Sequence, residues 1–158
     1  MQVREWMVPD PATCPPDAPL SEVARLMWEN DCGFVPVAES GTERLCGVIT
    51  DRDVCMGAWT RGIPLSQIRA SESMSRVVHS CRPTDDVDAI HALMRREQVR
   101  RLPVVEEGGR IVGVVSLNDL ARRAFRPPGR SGEAERLRVG ETLAAICQSR
   151  KVLAGAGV

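Results

Sequence analysis

Gly47-Val48-Ile49-Thr50-Asp51-Arg52-Asp53 and its echo, Gly113-Val114-Val115-Ser116-Leu117-Asn118-Asp119, decide the fold. Each copy is a glycine, two β-branched apolar residues, a hydroxyl, two variable positions and an aspartate. Val and Ile suit the packed surface of a buried strand. A hydroxyl followed three residues later by an acid is the capping-box pattern of a helix start. Each copy therefore reads as a strand running straight into a helix N-terminus. Backbone N–H groups, a hydroxyl and a carboxylate then meet at one mouth, which suits a sugar diol beside a phosphate. A single copy would be explained by capping alone; its weight comes from the duplication of the chain around it.

That duplication is direct. A shift of 67 residues aligns Glu5 with Glu72, Met7 with Met74, Cys14 with Cys81, Pro16 with Pro83, Met27 with Met94 and Pro36 with Pro103. One residue is then dropped in a turn, opposite the Glu39–Leu45 stretch of the first copy. Beyond it a shift of 66 aligns Arg44 with Arg110, Gly47 with Gly113 and Asp53 with Asp119. Turns tolerate such a change. The chain divides into repeats at 2–62 and 63–125, a Pro- and Gly-rich linker at 126–132, and a tail at 133–158 with a helix and a fraying end.

Each repeat predicts the order β-α-β-β-α. A short strand comes first, Ala12–Cys14 or His79–Cys81. A helix follows, with Leu20, Val23, Ala24 and Met27, or Val87, Ile90, His91 and Met94, on its apolar face. Pro19 suits the first turn of one helix, and Thr84 or Asp85 suits the cap of the other. Strands at Phe34–Ala38 and Leu45–Thr50 match Arg101–Val105 and Ile111–Ser116, and the last helices start at Asp51 and Leu117. His91 reads as a packed or dimer-edge residue, and Leu143, Ile146 and Cys147 as the inner side of the tail helix.

Composition narrows the function classes. The 21 basic and 21 acidic residues balance, and aromatics are 3% with no Tyr. Neither a field for nucleic acid nor a base-stacking platform is expected. No apolar run approaches a membrane span and no signal peptide opens the chain, so the expectation is a cytoplasmic protein without membrane partners. The six cysteines have no zinc-knuckle spacing and read mostly as small buried hydrophobes. No metal site is expected, and His79 with Cys81 reads as a strand edge. Nucleophile triads, zinc-protease helices and P-loops are absent from the sequence, so no catalytic residues are assigned.

The duplicated unit, the paired Phe34-Val35-Pro36-Val37 and Arg101-Leu102-Pro103-Val104, and the paired Gly-x-x-[ST]-x-x-Asp motifs resemble CBS (cystathionine-β-synthase-type) domains. The chain is similar to a stand-alone CBS pair, or Bateman module. The resemblance implies an α/β fold of tandem repeats related by a pseudo-two-fold axis, with two clefts between them, and pairing into a dimer. In family members that bind ligands it implies AMP, ADP, ATP, S-adenosylmethionine, NAD or a cyclic dinucleotide. Position by position, one site would use Thr50, Asp53, Val48 and Arg52 with Ser80, Asp85, Val99, Arg100 and Arg101. The other would use Ser116, Asp119 and Val114 with Thr13, Ala18, Cys32, Gly33 and Phe34, and Arg100 nearby. Asp85 replaces the small Ala18, and Asn118 replaces the cation Arg52, so the two sites should differ. The resemblance implies a regulatory sensor acting in trans on an effector protein. The alternative is a structural or thiol-responsive interaction protein whose clefts are vestigial, with Cys14 and Cys81 as its candidate thiols.

Overall fold

The computed structural model describes residues 1–125 and 132–148. In chain order it contains β1 (Val8–Pro9), α1 (Leu20–Glu29), β2 (Phe34–Ala38), β3 (Leu45–Thr50), α2 (Asp51–Arg61), α3 (Val87–Glu97), β4 (Arg101–Val105), β5 (Ile111–Ser116), α4 (Leu117–Ala124) and α5 (Gly132–Ile146). The four expected hairpin strands and both motif helices lie at the positions read from the sequence. Most of the linker, 126–131, and the fraying tail, 149–158, lie outside the described residues.

β2 pairs with β3 and β4 with β5, both antiparallel and in the same relative register: Pro36 faces Val48 as Pro103 faces Val114. The predicted first strands are smaller than expected. Cys14 and Cys81 each make a single parallel bridge, to Val37 and Val104. Pro15 and Pro16, or Pro83 two residues on, stop the ladder from extending, because proline has no N–H to give it. The caps of the first helices also differ. Pro19 stands just before α1 without a side-chain cap, and Asp86, not Thr84 or Asp85, caps α3 by accepting from the Asp88 N–H at 2.9 Å.

The repeats exchange their leading segments. The Ile68–Ser75 segment, which begins the second repeat, packs on the first. Leu20 N–H donates to Ile68 O (2.8 Å), and Ala70 N–H donates to Ala18 O (2.8 Å). The start of the chain packs on the second repeat through the same bonds 67 residues on: Val87 N–H to Met1 O (2.9 Å) and Val3 N–H to Asp85 O (2.9 Å). The two cores carry the same exchange. One joins Leu20, Val23, Val35, Val37 and Ile49 to Ile68 and Ala70. The other joins Ile90, Met94, Leu102, Val104 and Leu120 to Val3 and Trp6. The hairpin tips meet at the pseudo-axis, where Leu45 N–H reaches Gly109 O (3.0 Å), Ile111 N–H reaches Glu43 O (3.1 Å), and Arg44 stands opposite Arg110.

The motif glycines make room for this crossing. A Cβ on Gly47 would stand 2.5 Å from Met74 Sδ and 3.1 Å from Ser75 O; one on Gly113 would stand 2.7 Å from Met7 Sδ and 3.0 Å from Val8 O. The crossing segments bond to the strand beside each glycine, Val8 pairing with Val114 and Ser75 with Val48.

The tail helix α5 packs across α3 and α4. Its inner face is Glu135, Val139, Thr142 and Ile146, a regular helical stripe. The expected stripe is corrected: Leu143 and Cys147 are exposed, and only Ile146 of the three packs inward. A search for apolar side chains alone misses Glu135 and Thr142, which are buried because His91 bonds to both. Its Nε2 lies 2.9 Å from Glu135 Oε1 and its Nδ1 2.8 Å from Thr142 Oγ1. Arg138 bonds Glu135 Oε2 at 3.2 Å and Asp88 at 3.0 Å. His91 is thus a packed histidine holding the tail.

Gly113→Ala should lower stability by about 1–3 kcal/mol, the usual cost of overpacking, because the Val8 carbonyl cannot swing aside as the Met7 side chain can. Urea denaturation of wild type and variant measures it.

Candidate ligand-binding cleft

Each motif forms its capping box in full. In the second repeat, Ser116 N–H (3.0 Å) and Ser116 Oγ–H both donate to Asp119 Oδ2, and Asp119 N–H donates back to Ser116 Oγ at 3.2 Å. In the first, Thr50 N–H (2.8 Å) and Thr50 Oγ1–H (2.7 Å) donate to Asp53 Oδ2. The box holds each carboxylate rigidly by one oxygen. Among the described residues, no protein donor reaches the other oxygen, Oδ1, of either aspartate. A carboxylate oxygen has two acceptor sites, so a diol fits there.

A cleft of about 390 Å³ opens beside Asp119. Its walls come from three places. The second repeat gives Val114, Ser116, Asn118, Asp119 and Arg122. The first gives Asn30, Asp31, Cys32 and Phe34, and the segment crossing Gly113 gives Val8, Asp10, Pro11 and Ala12. Arg101 bridges the repeats from within it, its Nη1 donating to Gly33 O at 3.4 Å. Half-burial and the neighbouring Arg100 push the Arg101 guanidinium below its usual range, against the pull of Asp51, Cys32 and Asp119. That guanidinium remains a cation at neutral pH.

The expected residues divide on this geometry. Ser116, Asp119, Val114, Cys32 and Phe34 come together, with Gly33 joined through its carbonyl. Thr13 is exposed and Ala18 is buried in the first core, and neither lines the cleft. Arg101, assigned from the sequence to the Asp53 site, lines the Asp119 cleft instead. Ser80 and Asp85 line a separate depression with the Glu106–Gly109 turn, and its lining includes neither Thr50 nor Asp53. Asp85 is turned toward its own loop, accepting from Arg82 N–H at 2.8 Å. Val48 carries the Ser75 crossing, Val99 packs against the second core, and Arg52 and Arg100 are exposed. The Asp119 motif therefore has the more complete surroundings.

Sequence reasoning missed the crossing segment, Asp31 and Arg122. Asp10 and Asp31 both adopt left-handed backbone, with φ of 47° and 46°. Aspartate tolerates that region better than most residues, but nothing in its local sequence announces it. Arg122 was legible in principle, one turn after Asp119 on the same helix face.

All six cysteines are free, and Cys14 and Cys81 sit in different cores. Burial pushes each of these two thiols up to about 12. Among the described residues no group of three His, Cys, Asp or Glu side chains lies close enough to hold a metal ion. No described helix is long and apolar enough to cross a membrane.

The family model of the CBS domain matches twice, over residues 3–57 and 66–126. The chain belongs to the CBS domain family. A relative, the CBS domain-containing protein YhcV of Bacillus subtilis, is 36% identical over 75% of this chain and 82% of its own length. The chain also matches enzymes of which it spans only about a quarter. It covers 23% of a homoserine O-acetyltransferase of Methanohalobium evestigatum and 26% of an inosine-5′-monophosphate dehydrogenase of Aquifex aeolicus. Among solved structures, Hypoxic Response Protein I with two coordinated zinc ions superposes with a TM-score of 0.70 at 28% identity, over 80% of this chain and 100% of that one. The CBS domain pair of protein MJ0100, in complex with 5′-methylthioadenosine and S-adenosyl-L-methionine, has the same fold at a TM-score of 0.70 and 23% identity, over 78% and 94%.

Brief alkylation of the folded protein at pH 8 should label the exposed Cys55 and Cys147 first, because the thiolate is the reacting form. Cys14 and Cys81 should label only after denaturation. Peptide mass mapping reads the order, and fast labelling of Cys14 or Cys81 would contradict their placement.

Proposed function

We propose that this chain is a regulatory ligand-sensing module of two CBS repeats, 2–62 and 63–125, working with a second copy of itself. It binds an adenosine-containing ligand in the Asp119 cleft and passes that state to an effector protein in trans. The observation that carries the reading is the uncommitted Oδ1 of Asp119, fixed by the capping box in a cleft shared by both repeats. The ribose diol donates to that oxygen. Val114 and Phe34 offer apolar surface to adenine, and Arg101 and Arg122 face a phosphate or other anionic group. That a pair of the same fold holds 5′-methylthioadenosine and S-adenosyl-L-methionine supports the ligand class.

The role is binding and not catalysis. The carboxylates of both motifs serve as caps, the Ser116 hydroxyl of the cleft is tied into the Asp119 cap, and the remaining oxygen of Asp119 is left for a diol. A ligand touching Asp119 of one repeat and Phe34 of the other favours one relative packing of the repeats. It thereby shifts whatever equilibrium the partner reads.

Thermal unfolding with AMP, ADP, ATP, S-adenosylmethionine and NAD tests the reading. A ligand at 100 times its Kd should stabilise wild type by about 2.7 kcal/mol. Asp119→Asn, which keeps an oxygen for the cap but loses the carboxylate, should abolish the ligand-induced shift; Asp53→Asn should retain it. No shift with any of the five would overturn the proposal, and a shift lost only in Asp53→Asn would move the site to the first motif.

A further inference from the structure

Two of the aspartates that wall the Asp119 cleft are held in an uncommon backbone state. Asp10, on the segment that crosses Gly113, has φ 47°, and Asp31, in the turn after α1, has φ 46°. Glycine adopts left-handed backbone without strain, so neither turn asks for a carboxylate. The internal repeat points the same way. It sets Val77 and Gln98 at the same two places in the second repeat, and Gln98 keeps the left-handed backbone with φ 51°. Gln98 uses its side chain to hold α5, donating to Ala145 O at 3.2 Å. The carboxylates of Asp10 and Asp31 have no hydrogen bond or ion pair among the described residues, and neither has the Arg122 guanidinium that lines the same cleft. The cleft thus holds charges of both signs apart from one another and open to a ligand.

We propose that Asp10 and Asp31 set the charge specificity of this cleft. It takes an adenosine-containing ligand whose 5′ substituent carries a cationic centre and a single anionic group, and it rejects nucleoside di- and triphosphates. This rests on the reading of Asp119 as the diol acceptor. With that carboxylate assigned, the charges left to meet the 5′ substituent are Asp10 and Asp31 against Arg101 and Arg122. Arg101 is already partly answered. A Cβ on Gly33 would stand 2.6 Å from Asp51 Oδ2 and 3.6 Å from Arg101 Nη2, so Asp51 and Arg101 flank one small residue, and Arg101 also donates to Gly33 O. Among the described lining residues, Arg122 is the cation left without a protein partner. One carboxylate or one phosphate therefore finds a charge-assisted bond. Each further phosphate would enter among carboxylates with no free cation to offset it. A sulfonium or ammonium centre meets the opposite case, because Asp10 and Asp31 accept it without giving up a protein partner.

Isothermal titration of the full chain with S-adenosylmethionine, ATP and 5′-methylthioadenosine tests this, in low salt with EDTA so that ATP keeps its full charge. 5′-Methylthioadenosine has the diol and the adenine but no charged group, so it reports the Asp119 reading alone. Wild type should bind S-adenosylmethionine tighter than ATP by about tenfold or more. Asp10→Asn with Asp31→Asn should move the ratio of those two dissociation constants toward ATP by about tenfold and leave 5′-methylthioadenosine unchanged. Asparagine adopts left-handed backbone as readily as aspartate, so both turns survive. Glu107→Gln with Glu133→Gln removes the same charge from exposed positions outside the cleft and should leave the ratio as in wild type. Added salt should narrow the wild-type preference, since both aspartates are exposed. Wild type binding ATP as tightly as S-adenosylmethionine, a ratio unmoved by the asparagines, or one moved equally by the glutamines would each overturn the proposal, while binding of 5′-methylthioadenosine keeps the Asp119 reading. Failure of all three ligands to bind would overturn both.

Discussion

The structure depends on one steric allowance. The backbone of each leading segment passes over a strand of the other repeat where that strand has no side chain, at Gly47 and Gly113. Everything else follows from that contact. It carries Ile68 and Ala70 into the first core and Val3 and Trp6 into the second, so neither core is complete without its sequence neighbour. It also builds the cleft. The segment that crosses Gly113 continues as Asp10, Pro11 and Ala12, which wall the space beside Asp119. Core packing and cleft geometry therefore have the same origin.

What could be read from the sequence is what local chemistry and repetition encode. Thr50 with Asp53 and Ser116 with Asp119 announced caps, and the caps formed. The alternating Val and Ile of Val48–Ile49 and Val114–Val115 announced strands, and those strands have the expected bounds. What could not be read is where distant pieces go. Met7 and Met74 were legible as equivalent, but nothing local says that each lies over the other repeat's glycine. The site shows the same division. The capping carboxylate was visible as a motif, while the assignment of Arg101 to one cleft or the other depended on the packing of the two repeats. The tail was misread for a chemical reason: Glu135 and Thr142 look like surface residues until His91, 44 and 51 positions away, is brought to them.

The duplicated halves have drifted apart in their side chains while keeping their backbone bonds. At the motif level the difference is one of surroundings and not of the carboxylate itself, since both aspartates are held alike. Asn118 and Arg122 accompany one, Arg52 and Met56 the other. At the outer faces the difference is larger, with a polar knot around His91 on one side and two bare tryptophans, Trp28 and Trp59, on the other. Near-symmetry in the backbone thus goes with asymmetry in the side chains, at the motif surroundings and on the outer faces alike.

The reciprocal crossing also bears on ancestry. Each repeat carries both a segment that crosses and a glycine that is crossed; the segments recur at a spacing of 67 and the crossed glycines at 66. Two separate copies of a single repeat could satisfy each other in the way the two halves do. Fusing them end to end would change no contact at the crossings, only convert an intermolecular pair into an intramolecular one with a high effective concentration. A chain that holds both copies keeps every crossing contact and leaves each half free to vary alone.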